Sequence, residues 1–116
     1  MGLDMEKVIR DGCVAVLYSP GYGAGWSTWA EENERELLLF DPHIVQLVLD
    51  RDQNRITPEE FDAGLNMVWQ LKSYESYRSA HDLTLVWLPV GTLFRVEEYD
   101  GSETVVLQHE YNWITA

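Results

Sequence analysis

The nine residues Gly21-Tyr22-Gly23-Ala24-Gly25-Trp26-Ser27-Thr28-Trp29 are the part of the sequence best suited to chemistry. Three glycines within five residues let backbone amides approach a phosphate or take up left-handed angles. Tyr22, Trp26 and Trp29 can stack on a flat ligand, with the hydroxyls of Ser27 and Thr28 orienting it. The spacing is not Gly-x-Gly-x-x-Gly, and no lysine follows as in a phosphate-binding Gly-Lys-Ser/Thr loop. The structural alternative is a set of aromatics closing over the end of a sheet, with the glycines permitting tight packing. In that case Trp29, which follows the turn, is the better core member.

A second pattern runs from Asp50 to Phe61, where Asp50, Asp52 and Asn54 occupy the first, third and fifth positions of a calcium-binding EF-hand loop. Arg55 replaces the obligatory glycine, and Phe61 stands where the bidentate glutamate belongs, with Glu60 one residue early. A capped helix-turn-helix accounts for the same residues, and no metal is expected.

The third feature is charge. Twenty acids against eight bases give a net charge of −12, which repels phosphate backbones and anionic membranes and argues against direct nucleic-acid binding. The acids gather as Glu31, Glu32, Glu34 and Glu36, as Glu59, Glu60 and Asp62, and as Glu97, Glu98, Asp100 and Glu103. Carboxylates spread over an extended face can mimic DNA or RNA in a basic groove, whereas the ordinary role of such a surface is solubility.

Catalytic signatures are absent. There is no Gly-x-Ser-x-Gly elbow and no His-Glu-x-x-His, and His43, His81 and His109 are scattered. Cys13 alone excludes an internal disulfide and fits a reducing compartment as a small core residue. Glu97 and Glu98 would point to opposite faces of a strand. A binding protein without a cofactor is favoured over an enzyme.

The elements that must position these residues follow from periodicity. Cys13–Tyr18 is a short, β-branched apolar run closed by Ser-Pro-Gly, as expected of a strand in mid-sheet. Residues 31–40 are ambiguous: Thr28 and Glu31 have capping-box spacing, but Leu37–Phe40 also suits a strand. Asp41-Pro42 starts a helix over about 42–50. Thr57, Pro58 and Glu60 form a capping box, with Ile56 and Phe61 as a staple, for a helix over 58 to about 72. Leu83–Leu88 reads as a strand stopping at Pro89. Leu93–Tyr99 and Glu103–Gln108 flank Asp100-Gly101, the strongest short hairpin signal, and the tail around Trp113 is apolar enough to pack. The expected fold class is α+β: a single domain of residues 1–116, a mostly antiparallel sheet of about four to five strands with two helices packed on it, and residues 1–11 a loosely held N-terminal arm. No run is long enough to cross a bilayer, and the N-terminus lacks the features of a signal peptide, so no membrane and a cytoplasmic location are expected.

GYGAGWSTW at 21–29, GTLFRVEEYDGSETV at 91–105 and Trp113 together resemble a group of small phage and prophage proteins over nearly the whole chain. No catalytic residues come with that resemblance. What it implies is an accessory protein acting inside a bacterial host cell by stoichiometric binding. The expected partner is a host nucleic-acid-handling or defence protein with a basic surface, which this chain would inhibit. Read from the loop and the acidic hairpin themselves, and not from the resemblance, the binding residues would be Tyr22, Gly23, Gly25, Trp26, Ser27, Trp29, Glu97, Glu98, Tyr99, Asp100 and Glu103. A small, nucleotide-like ligand on the Gly-Trp loop is the alternative, and a homodimer closed by surface aromatics a third.

Overall fold

A computed structural model describes residues 6–23, 25–76 and 82–108. In chain order the elements are β1 (Ile9–Arg10), β2 (Cys13–Tyr18), a single 3-10 turn (Ser27–Trp29), α1 (Glu32–Phe40), α2 (Pro42–Asp52), α3 (Pro58–Leu71), β3 (Thr84–Pro89), β4 (Phe94–Tyr99) and β5 (Ser102–Leu107). All strand pairing is antiparallel, and the fold is α+β.

The expected single sheet is instead two, ordered β1-β2-β3 and β4-β5. The reason lies in the two faces of the central strand. Ala15 and Leu17 join Leu38, Ile44, Val45, Val48, Phe61, Leu65 and Val68 in one buried cluster. Val14 and Val16, on the opposite face, join Val86 and Leu88 with Phe94, Val105 and Leu107 in a second. The apolar side of the β4–β5 hairpin therefore covers the second face of the three-stranded sheet rather than extending its edge. This explains why Cys13–Tyr18 is continuously apolar: a strand covered on both sides needs no polar alternation.

Local signals account for most boundaries. Asp100 and Gly101 both take positive φ (50° and 86°), as a two-residue type I′ turn requires, and they set the register Tyr99↔Ser102 through Phe94↔Leu107. An Asp-Gly pair at Asp11-Gly12 (φ 53° and 76°) performs the same reversal between β1 and β2. Residues 9–10 are accordingly a strand, and Val8 O accepts from Ala15 N at 3.0 Å. The N-terminal arm is thus shorter than residues 1–11, because the turn returns the chain to a sheet edge; Met1–Met5 lie outside the described residues.

The Thr57 capping box forms, with Glu60 N donating to Thr57 Oγ1 (3.1 Å) and Thr57 N to Glu60 Oε1 (2.9 Å). The box proposed at Thr28 and Glu31 does not. Thr28 points its hydroxyl elsewhere, and the ambiguous segment becomes the third helix, with Glu31 as N-cap and no side-chain cap bond. Its helical spacing puts Glu34 and Leu38 on one buried face.

Candidate functional site

The Gly-aromatic loop and the hairpin meet, and a carboxylate joins them. Glu103 is 2 % exposed. Its Oε1 accepts from Ser19 N (2.9 Å), while Oε2 accepts from Trp26 N (2.8 Å), Thr28 N (3.0 Å) and Thr28 Oγ1 (2.6 Å). Glycine-rich backbone of this kind makes a nest for an anion, and here the anion is the chain's own side chain. Three further bonds fasten the same junction: Glu103 N to Ser19 O (2.8 Å), Gly23 N to Asp100 O (2.6 Å) and Ser102 Oγ to Pro20 O (2.7 Å).

The two tryptophans of the loop exchange the roles expected of them. Trp26 is fully buried, with Nε1 donating to Leu38 O (2.8 Å) and its ring 5.5 Å from that of Trp69. Leu38 lies in the last turn of α1, where carbonyls lack helical partners, so Trp26 satisfies a helix end while filling the core. Trp29, expected to be the core member, is 40 % exposed, its ring lying so close over Gly25 that a Cβ there would collide with it. Trp26 has no face open to a stacking ligand, and the nucleotide-type use of this loop loses its central residue.

Of the residues expected to bind, Gly25, Trp26, Ser27 and Glu103 are buried, whereas Tyr22, Gly23, Trp29, Glu97, Glu98, Tyr99 and Asp100 are exposed. Glu103 therefore leaves the set of partner-facing acids: with four hydrogen bonds it belongs to the scaffold. The exposed members come together at the hairpin tip. Tyr22 and Tyr99, 73 % and 78 % exposed, form an edge-to-face pair with ring centroids 6.5 Å apart. Glu98 Oε2 accepts from Gly101 N (2.7 Å), and Glu97 pairs with Arg95 (2.6 Å).

Two other carboxylates are buried: Glu34, read from the sequence only as part of an acidic cluster, and Asp41, read as the N-cap of α2. Glu34 accepts from Glu75 N (2.9 Å) and Ser76 N (3.0 Å). Burial pushes its pKa up, but the Ser76 hydroxyl and these two amides outweigh it and hold the carboxyl below the usual range. Asp41 caps α2 through His43 N (2.9 Å) and Ile44 N (3.2 Å), and its other oxygen accepts from Lys72 Nζ (2.7 Å) and Tyr74 OH (2.5 Å). Burial, that bond and the charges of Asp41 and Glu34 raise the Tyr74 phenol above its ordinary value, so it remains a donor. The Asp41 side chain thus ties the start of α2 to the chain that leaves α3.

Two of the three EF-hand-like donors, Asp50 and Asp52, are engaged locally. Asp50 accepts from Gln46 (2.9 Å) and pairs with Arg55 (3.6 Å), Asp52 pairs with Arg51 (3.2 Å), and Asn54 takes φ 58°. Among the described residues no group of three or more His, Cys, Asp or Glu side chains converges as a metal site, and no helix is long and apolar enough to cross a membrane. His81, His109 and Trp113 lie outside the described residues. Comparison of the chain with protein-family models, with curated proteins and with solved structures returns no match.

Proposed function

We propose that this chain is a stoichiometric binding protein whose contact surface is the hairpin tip, and that its partner is a protein with a basic surface. The observation that carries this reading is the exposed Tyr22–Tyr99 pair set among Glu97, Glu98 and Asp100. Tyrosine is among the residues that dominate interface energetics. Its ring also attracts lysine and arginine by cation–π contact. Surrounding carboxylates steer a basic partner towards the rings and set the orientation of encounter. The tip is held in shape by Gly23 N–Asp100 O and Glu98–Gly101, which lowers the ordering cost on association.

The resemblance to phage accessory proteins supports a host nucleic-acid-handling or defence protein as the partner class, inhibited in the bacterial cytoplasm by occupation of its basic surface. The test begins with capture of partners from bacterial lysate by wild type and by the Tyr22→Ala/Tyr99→Ala variant. A purified partner bound only by wild type should then associate more slowly as salt is raised, because exposed charges are screened over about 8 to 10 Å at physiological ionic strength. Equal binding by the variant, or association indifferent to salt, overturns the reading. A self-association seen by sedimentation and lost in the same variant would assign the tip to a homodimer.

A further inference from the structure

We propose that the turn between β1 and β2 is a modification site, where Asp11-Gly12 converts spontaneously to isoaspartate, while the same dipeptide at the hairpin tip, Asp100-Gly101, is protected by its surroundings. The chain holds these two Asp-Gly pairs. Both form the centre of a two-residue turn with positive φ, 53° and 76° in the first and 50° and 86° in the second. Glycine makes the dipeptide reactive, because no side chain shields its amide nitrogen from the preceding carboxyl.

The chemistry is a dehydration followed by a hydrolysis. Gly12 N attacks Cγ of Asp11, and the carboxyl OH leaves as water with the amide proton, closing a five-membered succinimide. Water then opens the ring at either carbonyl. Opening at the former main-chain carbonyl leaves the peptide bond running through Cγ, with an extra methylene in the backbone and the free carboxylate on Cα. Closure requires a glycine nitrogen that is not held by another acceptor, and a turn that opens far enough for it to reach Cγ.

The two turns differ on both counts. At the tip, Gly101 N donates to Glu98 Oε2 (2.7 Å), Asp100 O accepts from Gly23 N (2.6 Å), and Gly101 is buried. In the first turn the residue two places before the aspartate is Ile9, which offers no side-chain acceptor. Asp11 and Gly12 are both exposed, and nothing lies within 4 Å of the point where a Cβ on Gly12 would stand. The strand β1 pairs with β2 only as Ile9↔Val14 and Arg10↔Cys13, whereas β4 and β5 pair from Phe94↔Leu107 to Tyr99↔Ser102. The shorter hairpin opens more readily. Isoaspartate at residue 11 lengthens the turn, shifts the β1 register and releases the Val8 O–Ala15 N bond, which uncovers an edge of β2.

The test is to warm the purified full chain for several weeks at neutral pH, in buffer and in concentrated urea, and to read isoaspartate at each site by electron-transfer fragmentation, which cleaves its extra backbone Cα–Cβ bond. In the native protein, conversion at Asp11 should outpace that at Asp100 by about tenfold or more, the weight of one charge-assisted hydrogen bond. In urea the two rates should converge. Glu98→Ala, a change at an exposed side chain, should raise conversion at Asp100 severalfold and leave Asp11 as in wild type. Equal native rates, an imbalance of the same size in urea, or an Asp100 rate indifferent to Glu98→Ala would each overturn the proposal.

Discussion

Glu98 and Glu103 stand directly opposite one another across the β4–β5 ladder, on the same face of the hairpin, yet they do opposite things. Glu103 lies over the sheet, almost without solvent access, and is saturated by four donors. Glu98, on the same rung, is exposed and accepts one bond from Gly101. Like charges facing each other weaken a hairpin; here the nest that surrounds Glu103 offsets that repulsion. The lesson is that an acidic cluster in sequence mixes two populations. Glu34, Asp41 and Glu103 are internal fasteners, each tying segments distant in the chain, while Glu97, Glu98 and Asp100 are exposed at the tip, where the proposed partner would meet them.

The largest test of this division removes a fastener. Glu103→Ala strands the buried amides of Ser19 and Trp26 as well as Thr28 N, and should cost about 3 to 5 kcal/mol in urea unfolding, at roughly 1 to 3 kcal/mol per orphaned group. Trp26→Ala should cost a similar 3 to 5 kcal/mol, about what truncation of a buried aromatic costs, whereas Trp29→Ala should cost about 1 kcal/mol. Equal effects from the two tryptophans would contradict their assignment to core and surface.

Acidification sharpens the comparison at Glu34. Because folding lowers its pKa, the unfolded chain takes up the proton first, so its contribution to stability is complete above the usual carboxylate range and is lost as pH falls through the folded value. Unfolding measured across that range should show stability falling with acid, and Glu34→Gln should flatten the slope. A slope unchanged in the variant would remove Glu34 from the set of fasteners. The smallest effect is expected at the tip: Glu98→Gln should change stability by no more than about 0.5 kcal/mol, as surface substitutions do, while slowing association with a basic partner.

Much of this arrangement was legible where local chemistry decides it. Thr57 and Glu60 close their box, and Asp100-Gly101 makes its turn, because each needs only neighbours. Residues 31–40 were not legible, since Leu37–Phe40 fits either element until Trp26 and Glu34 show which face is buried. The split sheet was hidden for a related reason: a hairpin can extend an edge or cover a face, and only the apolar second face of Cys13–Tyr18 argued for the latter. Glu103 carried a readable signal that was missed. Strand alternation places it with Val105 and Leu107, on the side that packs inward, whereas Glu97 falls on the other side.

Native-state hydrogen exchange at Ser19, Trp26 and Thr28 tests the central claim most directly. These amides lie outside any sheet or α-helix, and they donate to Glu103 alone. Strong protection in wild type, lost selectively at these three positions in Glu103→Gln while the Glu98→Gln protein exchanges like wild type, is the predicted result. Rapid exchange in wild type, or the same loss of protection in both variants, would contradict it.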